Sequence, residues 1–135
     1  MMASLERLGF TYTEANQLRR ISLTLRRWFE RECGDSNGNC IERDETTGKP
    51  FCTFENGPGP RGRYPVADRE AGARKRLAAI MESRKRRLVA FVQTDCRGAA
   101  LYILSKRDVR AQARHSGQSE SEVIASGYNR GVAVY

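Results

Sequence analysis

The stretch Leu88-Val89-Ala90-Phe91-Val92-Gln93-Thr94, then Asp95-Cys96-Arg97-Gly98, then Ala99-Ala100-Leu101-Tyr102-Ile103-Leu104, decides the fold class. Two apolar, partly β-branched runs on either side of four turn residues predict a β-hairpin, and their apolar density predicts a central place for it. Upstream, Leu18, Ile21, Leu25 and Trp28 recur at steps of three and four, with Phe29 widening the stripe, so one face of a helix is apolar. Thr13 is the expected cap of that helix, and Gly34 the glycine that ends it after Cys33. Arg19, Arg20, Arg26, Arg27 and Arg31 fall away from the stripe and give the helix a basic outer surface.

Between these elements, Gly34 to Asn39 are turn formers, and Cys40 to Asp44 and Phe51 to Phe54 flank Glu45-Thr46-Thr47-Gly48-Lys49 as the arms of a first hairpin. Pro50 at the start of the second arm predicts an edge strand, and Cys40 and Cys52 are expected to face each other. Residues 56–65 hold six Gly and Pro in ten and read as a flexible loop. Asp68 is the expected cap of a second helix through about Arg84, with Ala73, Leu77, Ile80 and Met81 on one side. Ser119 with Glu122 resembles a capping box for a short third helix through Ser126, and Gly131 to Tyr135 read as a terminal strand pairing with the central hairpin. The expected architecture is α+β: two main helices on a small antiparallel sheet of hairpins, with a short third helix near the C-terminus. At 135 residues, the whole of 1–135 reads as one domain.

Composition sets the partner class. No apolar run is long enough for a membrane helix and no signal-peptide pattern opens the chain, so a cytoplasmic, non-membrane protein is expected, in the host cytoplasm if phage-encoded. Lys and Arg number 24 against 16 Asp and Glu, a net charge of +8 that draws polyanions. Ten basic and three acidic residues lie in 61–87, whereas 35–60 holds two basic and five acidic ones.

Signals for catalysis are weak. Cys33, Cys40, Cys52 and Cys96 lack a Cys-x-x-Cys pair and read as reduced thiols without a metal. The single histidine, His115, stands in a polar, turn-like stretch and reads as a solvated side chain. Neither a phosphate loop ending in Gly-Lys-Ser/Thr nor a dinucleotide glycine fingerprint occurs, and no cofactor is expected. Asp35, Glu42, Asp44 and Glu45 form an acidic group, which keeps a metal-dependent nuclease centred on Asp35, Glu42 and Asp44 as one alternative and an acidic protein-interaction hairpin as another.

The basic residues carry the main expectation: Arg74, Lys75 and Arg76 on the second helix and Arg84, Lys85, Arg86 and Arg87 at its end form an anion-binding patch, extended by Arg61 and Arg63. Cations in a last helical turn also complement the helix dipole, but four in succession exceed that need. Tyr64, Tyr102, Tyr128 and Tyr135 would add stacking surfaces if exposed. The expected partner is nucleic acid, a nucleotide phosphate or an acidic host protein, and homo-oligomerisation is compatible with the sequence.

Glu32-Cys33-Gly34-Asp35-Ser36-Asn37, Ile41-Glu42-Arg43-Asp44-Glu45 and Thr47-Gly48-Lys49-Pro50 resemble small uncharacterised proteins of tailed bacteriophages, as do Ala100-Leu101-Tyr102-Ile103-Leu104 and the closing Arg130-Gly131-Val132-Ala133-Val134-Tyr135. The resemblance implies a setting and no catalytic residues. It points to a non-enzymatic accessory protein that binds an anionic partner in counter-defence or host takeover, anti-CRISPR activity included.

Overall fold

The computed structural model describes residues 5–34, 39–54, 63–95 and 98–123. Within them run a short 3-10 turn (Glu6–Leu8), α1 (Tyr12–Glu32), β1 (Asn39–Arg43), β2 (Pro50–Phe54), β3 (Arg63–Pro65), α2 (Arg69–Met81), β4 (Leu88–Asp95), β5 (Gly98–Ser105) and α3 (Lys106–Ser116). The class is α+β, with two antiparallel sheets, one of order β1-β2-β3 and one made of β4 and β5.

The β4–β5 hairpin is buried on both faces, which is why its arms read as nearly unbroken apolar runs. Leu88, Ala90 and Val92, with Leu101 and Ile103, face Leu18, Ile21 and Leu25 of α1 and Leu77 and Met81 of α2. Val89 and Phe91 face the other way and pack with Val109 and Ala113 of α3 and with Val123. Phe91 and Tyr102 are cross-strand partners whose rings stack 5.5 Å apart at 13°, so Tyr102 serves the core. On the edge of β5, the Leu101 amide donates to the Ser22 hydroxyl of α1 at 3.3 Å, which occupies one of the edge groups a strand would otherwise offer to another chain.

α1 and α2 run antiparallel, since Glu14 near the start of α1 meets Arg84 just past the end of α2. The Arg84 side chain is only 16% exposed; its guanidinium lies 2.7 Å from Glu14 Oε1, 4.6 Å from the Phe10 ring centroid and 3.1 Å from the Ile80 carbonyl. Hydrogen bonding to the Thr11 backbone amide, reinforced by Arg84, holds the Glu14 carboxyl below its usual range despite the opposing effect of burial.

Several expectations are corrected. α1 is capped by Thr11, not Thr13, because only Thr11 has a glutamate three residues on: Glu14 donates its amide to the Thr11 hydroxyl and its carboxylate accepts from the Thr11 amide. Pro50 lies in the central strand of its sheet, because Arg63–Pro65, at the end of the Gly/Pro-rich stretch, returns as β3. It is tolerated as the first residue of β2, where its missing amide breaks no ladder. Cys40 pairs with Thr53 and Cys52 with Ile41, a one-residue offset that places the two thiols on opposite faces. α2 stops at Met81, so residues 84–87 lie in the turns that follow it, and its last turn holds no cation.

The helix over Lys106–Ser116 has no counterpart in the expected architecture, in which Arg114 to Gly117 read as a polar, turn-like stretch. Ser105 caps it by accepting from the Arg107 and Asp108 amides, and Gly117 closes it in the left-handed conformation at φ 71°. His115 is therefore an exposed residue of a last helical turn. Ser119 accepts from the Glu122 amide at 3.1 Å and residues 120–123 are helical, while the rest of the expected third helix, the terminal strand, Tyr128 and Tyr135 lie outside the described residues.

The Arg84 bracket yields a stability prediction. Arg84→Ala should destabilise the protein by about 2 kcal/mol through loss of a charge-assisted, part-buried hydrogen bond and a ring contact. Exposed Arg86→Ala should change stability by less than about 0.5 kcal/mol. Urea midpoints measured at neutral pH compare the two directly.

Candidate anion-binding surface

The basic residues expected to form one patch are divided by the fold. Arg61 and the side chain of Arg63 lie outside the described residues, the Arg63 backbone forming part of β3. Arg74 pairs with Glu70 one helical turn earlier at 3.1 Å. Arg84 is held in the α1–α2 bracket, and Lys85 makes an exposed pair with Glu82 at 2.8 Å. Lys75, Arg76, Arg86 and Arg87 are exposed, and their side chains enter no ion pair among the described residues.

Arg76 is the member of the expected set that joins cations from elsewhere. On the outer side of the antiparallel pair, Gln17, Arg20, Leu23, Thr24 and Arg27 of α1 and Arg76, Ala79 and Ile80 of α2 line a groove of about 710 Å³, with Ile21 beneath. The residues of α1 recur at three- and four-residue steps, so they share one helix face, and α2 meets that face with Arg76 and Ile80, four residues apart. Arg20, Arg27 and Arg76 make no ion pair among the described residues, whereas Arg26 pairs with Glu30 and Arg19 donates a hydrogen bond to the side-chain amide oxygen of Asn16. The floor is apolar: Ile21 is buried, Ile80 continues the core beneath, and Leu23 is 38% exposed. Arginine stems can lie along such a floor with their guanidinium forks toward solvent. Arg20 and Arg27 were legible as part of a basic helix surface. Nothing in the sequence says that α2 lies beside them.

At the other end of the helix pair stands a compensated charge cluster. Arg43 of β1 donates to both carboxylate oxygens of Asp68, at 2.8 and 3.0 Å, and lies 5.7 Å from the Trp28 ring centroid and 3.9 Å from Glu70. Asp68 also accepts from the Ala71 amide as the cap of α2, so one residue starts the helix and ties it to the first hairpin. The Arg43 hydrogen bonds, joined by the Ala71 amide, hold the Asp68 carboxyl below its usual range, and the Asp68 contact in turn raises Arg43.

Glu32 accepts from the Trp28 indole and, with Glu70 and Arg74, lines a cavity of about 210 Å³. Burial pushes the Glu32 carboxyl up, the facing Glu70 carboxylate adds to the rise, and the indole hydrogen bond opposes it. Two facing carboxylates thus stand beside this cavity, and Arg43 and Arg74 accompany them as partners within the fold.

Of the acidic residues of the first hairpin, Glu42, Asp44 and Glu45 line one open cavity of about 370 Å³ together with Arg43, Thr46 and Phe51. The Asp44 carboxylate accepts from the Thr46 and Thr47 amides and shapes the turn, Glu42 is exposed, and Asp35 lies outside the described residues. Among the described residues no three His, Cys, Asp or Glu side chains are grouped to hold a metal ion. Cys40 donates its thiol to the Glu32 carbonyl at 3.2 Å, and Cys52 is buried. Among the described residues no helix is long and apolar enough to cross a membrane. Comparison with models of protein families finds no match, and comparisons with curated proteins and with solved structures find none either.

The charge cluster and the Arg84 bracket together make stability depend on pH in two opposed ways. Asp68 and Glu14, held low in the folded state, contribute stability that is present above their unfolded values and lost as pH falls through their folded ones. Glu32, held high, favours the fold below its unfolded value and loses that contribution as pH rises through its folded one. Glu32→Gln should therefore raise the melting temperature at about pH 7.5 and match the parent near about pH 4, where Glu32 is protonated in both states. A loss at about pH 7.5 that disappears near about pH 4 would mean instead that the carboxylate is needed as a partner of the arginines.

Proposed function

We propose that the protein acts by binding rather than by turnover, and that the groove between α1 and α2 holds an anionic partner through Arg20, Arg27 and Arg76. One observation carries this reading: three arginines from two helices converge on one solvent-facing groove, with no carboxylate of the described residues pairing them. Cations at that density would repel one another and are an unfavourable arrangement in isolation, so an anion arriving there relieves repulsion as well as making bonds. Guanidinium forks match carboxylate and phosphate oxygens two at a time, which gives orientation as well as affinity.

Exposed Lys75, Arg86 and Arg87 add to the positive field that would steer such a partner toward the molecule, and the net charge of +8 works in the same direction. Lys85 contributes less because Glu82 neutralises it, and Arg74 and Arg84 are engaged inside the fold. The biological setting comes from the resemblance to tailed-phage proteins alone: a binder of this kind would serve counter-defence or host takeover, anti-CRISPR activity included, by occupying a host component.

The test is a titration of the full chain with fluorescein-labelled duplex DNA, single-stranded DNA and polyglutamate over a range of salt. Arg20→Glu/Arg27→Glu/Arg76→Glu should weaken at least one probe by about tenfold or more and flatten its salt dependence, and Lys85→Glu should change affinity by less than about twofold. Circular dichroism on each variant confirms that the fold persists. Affinities that stay within about twofold for every probe would remove the groove as the site.

A further inference from the structure

We infer that the occupant of the α1–α2 groove is an acidic amphipathic helix of a partner protein, seated with its apolar face on Leu23, Ala79 and Ile80 and its carboxylates against Arg20, Arg27 and Arg76. This rests on the anion-binding reading of the same groove and adds the chemistry of the ligand. Its grounds are the composition of the groove, the spacing of its charges and the geometry of the two helices that build it.

A groove for phosphates alone has no use for an apolar floor, since hydrocarbon beside a phosphate removes its water without replacing the hydrogen bonds. A groove for unstacked bases needs exposed aromatic faces, and among the described residues none lines this one. The exposed aromatics among the described residues, Tyr12 and Tyr64, lie outside the lining. An apolar floor walled by arginines instead complements a surface that is apolar along one stripe and acidic at its margins. That is the face of an amphipathic acidic helix.

The spacing agrees. Arg20 and Arg27 are seven residues apart on α1, two helical turns or about 10.5 Å, and a helix lying along α1 presents carboxylates at positions seven apart with the same separation. On α1 the lining runs from Gln17 to Arg27, about three turns, which sets the length of the seated segment at roughly ten to twelve residues. Two antiparallel helices present an outer groove into which the side-chain ridges of a third can pack, so the partner would complete a three-helix layer over the hairpin.

The experiment uses the full chain and a labelled peptide of about eighteen residues, long enough to form a helix when bound, with Leu at helical i, i+3, i+4, i+7 spacing and Glu flanking it. Its controls are a scrambled peptide of the same composition, polyglutamate and duplex DNA. The amphipathic peptide should bind about tenfold more tightly than its scramble and gain helical circular dichroism on binding. Leu23→Glu, a change at an exposed position that leaves the core untouched, should weaken the amphipathic peptide by about tenfold and polyglutamate by about threefold or less. Equal binding of peptide and scramble, or indifference to Leu23→Glu, overturns the inference and leaves the anion-binding groove standing if Arg20→Glu/Arg27→Glu/Arg76→Glu still abolishes binding. DNA binding tighter than the peptide's and insensitive to Leu23→Glu overturns it in favour of nucleic acid. Failure of peptide, polyglutamate and DNA alike to bind overturns both readings.

Discussion

The two-sided burial of the β4–β5 hairpin is the constraint from which the other packing follows. A two-stranded ribbon cannot stand alone in water, and one whose residues are apolar on both faces must be covered twice. α1 and α2 cover the face of Leu88, Ala90, Val92, Leu101 and Ile103, while α3 covers that of Val89 and Phe91. Because one narrow ribbon must be roofed by two helices, α1 and α2 lie side by side with their apolar stripes turned inward. Their outer faces then meet along a groove. The cationic site is thus a by-product of covering the hairpin, and its arginines are the solvent-facing residues of helices whose inward faces were already committed.

Charge is distributed by the same logic. Where a cation meets the meeting point of elements, the fold uses it: Arg84 joins the start of α1 to the end of α2, and Arg43 joins the first hairpin to the cap of α2. Both are partly shielded, both hold carboxylates, and both sit against aromatic rings. The two brackets stand at opposite ends of the helix pair and set its alignment. Between them, on the outer side, Arg20, Arg27 and Arg76 have no such duty. The distinction between structural and available cations follows from where helices end, since chain ends bring together groups that a helix face keeps apart.

Much of the fold was legible. The period-3.6 stripe of Leu18, Ile21, Leu25 and Trp28 and the paired apolar runs around Asp95–Gly98 are local signals, and local signals survive into the structure. The misreadings share a cause. Thr11 and Thr13 are both competent caps in isolation, and the reciprocal bond with Glu14 selects between them. Pro50 suggested an edge because the returning strand Arg63–Pro65 is only three residues long and lies beside a Gly/Pro-rich stretch. α3 is not legible in the sequence because its inward stripe is as thin as Val109 and Ala113, enough to cover Phe91 but too sparse to stand out among its cations.

The sequence by itself determined the class, the two long helices, both hairpins and the excess of positive charge, because each is written in residues that are neighbours along the chain or repeat at a fixed period. Only the tertiary structure decided which cations lie together. The run Arg84 to Arg87 is contiguous in sequence but split between a part-buried bracket, an exposed ion pair and open solvent, whereas Arg20, Arg27 and Arg76, up to fifty-six positions apart, share one groove. Electrostatic sites depend on distance in space over a range of about 10 Å, and in a helix pair that distance is set by packing rather than by position along the chain.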